Sequence, residues 1–208
     1  MEICRLQNSG FTHNDVVELI KASFVQWQER GLESSLLKLT PDSFAEKTAN
    51  DIVLVAIDEN NNTLLGTTSF SILKDRQGKQ YAYNKYSAVI STTKQKGIGS
   101  SLLQCEKRIA INEGCCYIIS DTCEHAKWSV KWHEKNGFRI IGETSFNNND
   151  YYSYVFRLQL KESYIWSNPI YCKIRFIISW LKTRLMYNSR GDLTLFGNSV
   201  VKLIHFLR

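Results

Sequence analysis

The sequence lacks several features that mark particular classes of protein. No apolar run approaches the roughly 18 to 20 residues that a membrane span needs. The opening residues MEICRLQNSG lack the basic-then-apolar order of a signal peptide. Only two prolines occur, internal repeats are absent, and 43% of the residues are hydrophobic, which suits a substantial core. We therefore expect a globular protein of the cytoplasm.

Metal-ligand spacing is also missing. None of the six cysteines forms a C-x-x-C pair, and the four histidines are scattered along the chain. A zinc site needs clustered ligands at regular spacing. We therefore predict no bound metal and interpret the cysteines as reduced thiols.

The net charge of +6 lies in one part of the chain. Residues 161–208 contain eight basic and two acidic residues, which accounts for all of it, whereas residues 1–160 contain eighteen of each sign. A nucleic-acid-binding domain usually shows a basic surplus in its folded body. The balanced body therefore argues against a nucleic-acid partner.

Apolar periodicity predicts the order of strands and helices. Strands are predicted at 3–6, 52–57, 63–73, 81–91, 117–122, 138–141 and 151–160, and helices at 14–28, from Thr40-Pro41, at 97–112 and at 126–136. This order predicts an α/β fold with an α+β-type mixed central sheet and helices on both faces. We assign this domain to residues 1–160 and a helical C-terminal extension to residues 161–208.

Residues 89–101 carry most of the chemistry that the sequence reveals. They run from a predicted strand into a helix, and Gly97 and Gly99 allow the backbone to approach a ligand and aim consecutive N–H groups at it. The helix N-terminus adds about half a positive charge, so the pattern predicts a pyrophosphate cradle. A glycine-rich connection without a ligand is the alternative. The candidate binding residues are Val89, Ser91, Lys94, Gln95, Lys96, Gly97, Ile98, Gly99 and Ser100.

Two other phosphate motifs do not fit this stretch. The P-loop pattern G-x-x-x-x-G-K-[ST] is absent, and a dinucleotide fingerprint needs a third glycine where Leu102 stands. Lys94-x-x-Gly97-x-Gly99 instead resembles the acetyl-CoA loop of the GNAT superfamily, with Lys in place of Arg or Gln. Downstream, the segment from Ser129 through His133 to Phe138 is similar to that family's A-x-x-x-Y-E-K-x-G-F ending. The resemblance covers roughly residues 1–160.

The resemblance implies a cofactor and candidate catalytic residues. It implies acetyl-CoA as co-substrate, with the backbone of Val89 bonded to the pantetheine. His133 occupies the position of the family's tyrosine acid. Asp121, at the end of a strand, is the best-placed carboxylate for the base, and Glu124 is the next candidate. Packing for His133 and loop capping for Asp121 are the structural alternatives. Ala126 stands where the family often has a cofactor-contacting Asn, so that contact is either missing or supplied by Ser129 or His125.

The residue pattern of the C-terminal extension predicts a basic amphipathic helix. Ser167-Asn168-Pro169 is a helix start, and lysines and arginines lie off an apolar stripe. The sequence leaves open whether this helix packs on the domain, joins a homodimer, rests on an anionic membrane surface or grips an anionic acceptor. The stripe consists of Ile170, Ile174, Ile177, Ile178, Leu181 and Leu185.

These patterns lead to an expected function. We expect an N-acetyltransferase that moves acetyl from acetyl-CoA to a primary amine of a small molecule, protein or peptide, by direct attack in a ternary complex. A non-catalytic acyl-CoA-binding or regulatory module is the alternative, because His133 and Ala126 depart from the family pattern. A third hypothesis makes the extension a membrane or nucleic-acid tether.

Overall fold

The computed structural model describes residues 1–28, 31, 34–90, 97–146 and 149–206. They form two compact units, Met1–Ser120 and Asp121–Arg208. The strands belong to one mixed sheet in the order β1-β2-β3-β4-β5-β7-β6, which confirms the predicted fold class. The domain boundary that we placed at residue 160 from charge stays a prediction.

The first unit holds the meander and the first three helices. Its strands β1 to β4 are antiparallel neighbours, and β4 pairs with β5 in parallel. The elements are β1 Glu2–Arg5, α1 His13–Gln28, α2 Pro41–Lys47, β2 Ile52–Asp58, β3 Thr63–Lys74, β4 Gln80–Val89, α3 Ile98–Asn112 and β5 Tyr117–Cys123, which crosses into the second unit, with short 3-10 helices at Leu6–Asn8 and Ser35–Lys38.

Two capping boxes define the starts of α1 and α2. At α2, the Thr40 hydroxyl accepts from the Ser43 N–H and Pro41 occupies the first turn, as the sequence predicted. At α1, the Asp15 carboxylate accepts from the Thr12 N–H at 2.7 Å, and Thr12 Oγ1 accepts from the Asp15 N–H at 3.3 Å. Thr12 is therefore the cap, and our prediction of Asn14 was wrong by two residues.

Helices cover both faces of the sheet in the first unit. Val55 and Ile57 of β2 belong to the buried cluster that includes Val16 and Val17 of α1. Successive strand residues point to opposite faces, so Gly66, which pairs with Ala56, lies on the other face. An added Cβ at Gly66 would meet the side chain of Ile98 in α3 at 3.1 Å. The predicted helices on both faces are confirmed in this unit.

The second unit consists of a helix, a hairpin of strands and the C-terminal helices. The strands β6 and β7 are antiparallel, and β7 lies between β5 and β6. Helix α6 starts at Asn168, whose side chain accepts from two backbone N–H groups, with Pro169 following, as predicted. The elements are α4 Lys127–Lys135, β6 Arg139–Ser145, β7 Tyr152–Gln159, α5 Tyr164–Ser167, α6 Pro169–Met186 and α7 Leu195–Phe206.

Helix α6 is attached to β6 by hydrogen bonds to Glu143. Thr183 donates its hydroxyl to the Glu143 carbonyl at 2.8 Å, and Ser179 Oγ accepts the Glu143 N–H at 3.0 Å. Arg184 forms two hydrogen bonds to the Glu143 carboxylate, at 2.9 and 3.1 Å. Gly142 allows this approach, because an added Cβ would lie 2.7 Å from Ser179 Oγ. The helix is therefore fixed in its rotation about its own axis.

None of the helices in the described ranges combines the length and apolar character of a membrane span.

Candidate functional site

The described part of the predicted cradle is the N-terminus of α3. Ser91, Lys94, Gln95 and Lys96 lie outside the described residues. Gly97 is the N-cap, with φ +82°, a left-handed conformation that L side chains rarely adopt. The Ser101 N–H closes the first turn by donating to the Gly97 carbonyl at 2.9 Å. The amides of Ile98, Gly99 and Ser100 are therefore the first-turn donors that a helix leaves without an intrahelical partner.

A side chain at position 97 would meet no steric obstacle from the described residues. An added Cβ at Gly97 would lie more than 4 Å from their heavy atoms, its chain neighbours aside. The positive φ at position 97 therefore requires a glycine there, whereas packing against the described residues does not. The positive dipole end of a 15-residue helix lies at Gly97, so the donor set suits a phosphate or pyrophosphate group.

Gly66 is a positioning residue that sequence reasoning missed. An added Cβ there would meet the Ala88 carbonyl at 3.0 Å, Ile98 Cγ2 at 3.1 Å and Leu102 Cδ1 at 3.2 Å. The first turn of α3 thus lies directly on β3, beside the end of β4. A glycine inside a strand is a known sign of close approach by another element, so the signal was available.

The strands β4 and β5 pair only briefly. Their parallel register has three residue pairs, from Tyr81↔Tyr117 to Tyr83↔Ile119, although β4 continues to Val89. Farther along, β4 bulges: Tyr86 has φ +51°, and the register with β3 shifts between Thr67 and Ser69. A bulge bends a strand and increases its twist. After residue 83, β4 therefore stays paired with β3, across the bulge, and its parallel register with β5 has ended.

The end of β4 is tied to both neighbouring elements. Val89 pairs with Gly66, and the Ile90 N–H donates to the Leu65 carbonyl at 3.1 Å. The Val89 carbonyl also accepts from the Ser23 hydroxyl of α1 at 3.1 Å. This predicted cofactor residue is thereby held at a fixed place on the way from β4 into the cradle.

A buried polar cluster lies between β4 and α3. The Asn84 side-chain amide donates to Glu106 Oε2 at 2.6 Å and to Thr68 Oγ1 at 2.8 Å. Ser87, which is exposed, donates its hydroxyl to Asn84 Oδ1 at 2.8 Å. Ser120 of β5 reaches the same oxygen at 3.5 Å. The cluster therefore connects β3, β4 and β5 to the middle of α3, beside the short parallel register.

Glu106 is the unusual member of this cluster. Its side chain is fully buried, and Oε1 has no hydrogen-bond partner among the described residues. Burial raises the pKa of this carboxyl to about 8, against the opposing effect of the Asn84 hydrogen bond. It lies in the inward stripe of α3 with Leu102, Leu103 and Ala110. The signal in the sequence is a Glu at a helix position whose neighbours in the 3.6-residue period are apolar.

His133 lies in an aromatic cluster of the second unit. It is 5% exposed and stacks on Phe156 with ring centroids 4.4 Å apart. Its Nδ1 lies 2.8 Å from the Ser129 carbonyl, which can only accept, so Nδ1 carries the proton. Burial lowers the pKa of the imidazole to about 4. At neutral pH the ring is uncharged, and Nε2 is an acceptor.

The remaining predicted residues of the second unit are in regular elements. Asp121 is a half-buried residue of β5, and Ser129 lies in the first turn of α4 with its N–H donating to the Ala126 carbonyl at 2.8 Å. Ala126 is the N-cap of α4 and supplies no side-chain cap. The catalytic roles of Asp121 and His133 stay predictions. For His133, the geometry favours packing or hydrogen-bond acceptance over proton donation.

Among the described residues, no group of three or more His, Cys, Asp or Glu side chains is arranged to hold a metal ion.

Comparison with protein families decides the assignment. The profile of the acetyltransferase (GNAT) family matches residues 14–138, more than half of the chain. The chain belongs to the GNAT family. A comparison with curated protein sequences gives no match.

Solved GNAT structures share the fold of this chain at low sequence identity. An aminoglycoside 6'-N-acetyltransferase complexed with coenzyme A has a TM-score of 0.58 at 15% identity, over 78% of this chain and 99% of that one. An aminoglycoside 6'-acetyltransferase of type Ii has a TM-score of 0.60 at 17% identity, over 78% of this chain and 99% of that one. The NatB acetyltransferase complex bound to CoA and MES has a TM-score of 0.61 at 11% identity, over 77% of this chain and 100% of that one.

Proposed function

We propose that this protein is an acetyl-CoA-dependent N-acetyltransferase that acts on a primary amine. The observation that carries the proposal is the helix start at Gly97, where a left-handed glycine is the N-cap and the first-turn amides of α3 have no intrahelical partner. The family membership supports acetyl transfer, and the relatives named above include structures with bound CoA. We place the reaction in the cytoplasm, where acetyl-CoA and reduced thiols coexist.

The residues of α3 would hold the pyrophosphate of acetyl-CoA. The amides of Ile98, Gly99 and Ser100 would donate to phosphate oxygens, and Lys94 and Lys96 would add positive charge. Ser91 and Gln95 belong to the same proposed cradle. We further propose that the backbone of Val89 pairs with the pantetheine and that Ser129 contacts the cofactor at the start of α4. Acetyl-CoA supplies the activated acetyl group as a thioester.

The proposed reaction is direct transfer between two bound substrates. The amine nitrogen forms a bond to the acetyl carbonyl carbon, the carbon–sulfur bond breaks, and the amine loses one proton. We assign that proton to Asp121, directly or through water. The departing thiol has a pKa near 8.5, so it can leave as a thiolate without a protein acid. Holding both substrates together supplies much of the acceleration.

The acceptor belongs to the class of primary amines. The relatives' names mention aminoglycosides, which are small molecules, and the NatB complex. We therefore propose a small-molecule, protein or peptide amine, with no nucleic-acid partner. Mass spectrometry of products from an amine panel, with release of CoA measured in parallel, tests the activity. Release of CoA without an acetylated amine, or no release with any amine, contradicts it.

A substitution at the cradle tests the binding part of the proposal. Gly97→Glu places a negative side chain in the space proposed for the pyrophosphate and forces a left-handed glutamate. We expect acetyl-CoA affinity to fall by about a hundredfold or more in calorimetry. Gly78→Glu is the matched control, because that turn glycine also has a positive φ and open surroundings but lies in the β3–β4 turn. Equal affinity in both variants would refute the cradle.

A non-catalytic acyl-CoA-binding module is the second candidate. The observation in its favour is His133, which is buried and uncharged at the position of the family's acid. Tight acetyl-CoA binding without turnover on any amine would support this candidate. Turnover of an amine that rises with acetyl-CoA concentration and saturates as binding does would exclude it.

A further inference from the structure

The apolar stripe of α6 faces outward. We use the name outer stripe for Ile170, Ile174, Ile177, Ile178, Leu181 and Leu185, whose exposed fractions are 68, 50, 52, 54, 47 and 51%. Their spacing of three and four residues places them on one side of the helix. Monomeric proteins rarely expose contiguous apolar patches of this extent without an interaction to cover them.

The exposure follows from how the helix is attached. Cys172 and Thr183 are the buried residues of α6, and Ser179 and Thr183 bond to Glu143 of β6. At 100° per residue these three lie opposite the outer stripe. The side of α6 that faces the sheet thus combines polar Ser179 and Thr183 with Cys172 and Phe176, whose ring contacts Tyr154 of β7. The outer stripe is turned away from the sheet, whereas an ordinary surface helix turns its apolar stripe to the core.

Positive charge borders the outer stripe on both sides. On the helical projection Lys173 lies roughly 40° beyond one edge, and Lys182 and Arg175 lie roughly 40 to 60° beyond the other. All three side chains are exposed, and α6 contains no Asp or Glu. Helix α7 adds exposed apolar residues, with Leu195 at 90% and Phe196 at 55%, and exposed Lys202.

We propose that the outer stripe of α6 binds the surface of an anionic phospholipid membrane. An apolar face bordered by cations matches such a surface, because the face enters the boundary of headgroups and acyl chains while the cations meet lipid phosphates. Long basic side chains can reach headgroups from the borders of the face. The acetyltransferase would thereby work at a membrane, in addition to its chemistry.

A second copy of the chain fits this surface less well. In a twofold symmetric dimer the same patch meets itself, so the bordering cations of the two copies would come together. Residues 1–160 carry equal numbers of acidic and basic residues and offer no acidic surplus to balance the +6 of residues 161–208. Like charges opposed across an interface disfavour association.

Vesicle binding of the full chain tests the proposal. The full chain should float with vesicles of phosphatidylcholine containing about one third phosphatidylserine and bind pure phosphatidylcholine much more weakly, with the difference shrinking at high salt. The double variant Ile177→Asp with Leu181→Asp should lose at least about tenfold in vesicle affinity. Ile111→Asp, at a residue of α3 that is 51% exposed, is the matched control and should bind as the wild type.

A second pair of variants separates charge from apolar contact. Lys173→Glu with Lys182→Glu should weaken binding to anionic vesicles roughly tenfold and leave binding to neutral vesicles unchanged. Lys74→Glu with Arg76→Glu, at exposed positions of the β3–β4 hairpin, is its control. Circular dichroism and urea unfolding establish that all variants are folded.

Three results would overturn the proposal. These are no binding to either vesicle type, binding that the outer-stripe aspartates do not reduce, and equal loss in the control variants. Light scattering on the same samples identifies the competing occupant. A dimer that dissociates in Ile177→Asp with Leu181→Asp, without vesicle binding by the wild type, would assign the stripe to self-association.

Discussion

Helices α1 and α6 carry apolar stripes of similar length in opposite surroundings. In α1, Val16, Val17 and Ile20 are fully buried against β2 and its neighbours. In α6, Ile174 and Ile177 are half exposed, although the helix is firmly attached by Thr183 and Arg184. Periodicity therefore predicts that a stripe exists but not what covers it. The sign of the bordering charges is the additional information, since α1 has both signs and α6 only cations.

Introducing a charge into each stripe gives the largest expected difference. Val17→Asp puts a carboxylate into a site with 0% exposure and should cost about 4 kcal/mol or more of the free energy of unfolding. Ile177→Asp, at 52% exposure, should change it by less than about 0.5 kcal/mol. Urea unfolding measures both. A large loss in Ile177→Asp would mean that its stripe is covered within the folded monomer.

Helix α3 differs from both α1 and α6, because its buried apolar stripe contains a carboxyl group, that of Glu106. The pKa of this group is raised from 4.5 to about 8 in the folded protein. Between these pH values the folded state keeps a proton that the unfolded state has lost. Each pH unit of increase within that window therefore lowers the free energy of unfolding by about 1.4 kcal/mol. The stabilising effect is complete below pH 4.5 and lost once pH passes about 8.

Glu106→Gln removes this dependence and keeps the shape of the side chain. We expect its free energy of unfolding to change little between pH 5 and pH 9, and the variant to exceed the wild type at pH 9. Urea titrations across this range provide the measurement. Glu113→Gln, at the C-cap of the same helix, is the control. A wild-type slope as flat as that of Glu106→Gln would show that Glu106 ionises normally.

Local chemistry explains which features the sequence could predict. The Thr40-Pro41 helix start and the glycine turn at Gly97 depend on neighbours in the chain, and the structure agrees with both. The mixed sheet was predicted from the order of strands and helices along the chain, and the structure agrees with it. Burial raises the pKa of Glu106, and its hydrogen-bond donor Asn84 is 22 residues away, so no local pattern identifies that partner. The outward direction of the α6 stripe likewise depends on Glu143, which is distant in sequence.

The bulge at Tyr86 shows the same limit at the candidate site. The short β4–β5 register and the bend of β4 position the strand end, but Tyr86 is a residue that ordinarily favours regular strands. Its positive φ results from the register of β3 against β4, which is a non-local property. The cradle residues therefore stay predictions, and the bulge at Tyr86 on the strand that leads to them has no local signal in the sequence.

Substitution of His133 should have the smallest effect of these changes. This residue places an ionisable ring on the buried side of α4. With a pKa lowered to about 4, His133 stays uncharged across the pH range of most assays. His133→Phe preserves the stacking on Phe156, and we expect kcat/KM to change by less than about threefold between pH 6 and pH 8, with the same profile as the wild type. A general acid typically contributes about a hundredfold or more. A loss of that size, together with disappearance of an ionisation from the wild-type profile, would establish His133 as the proton donor and reject its assignment to packing.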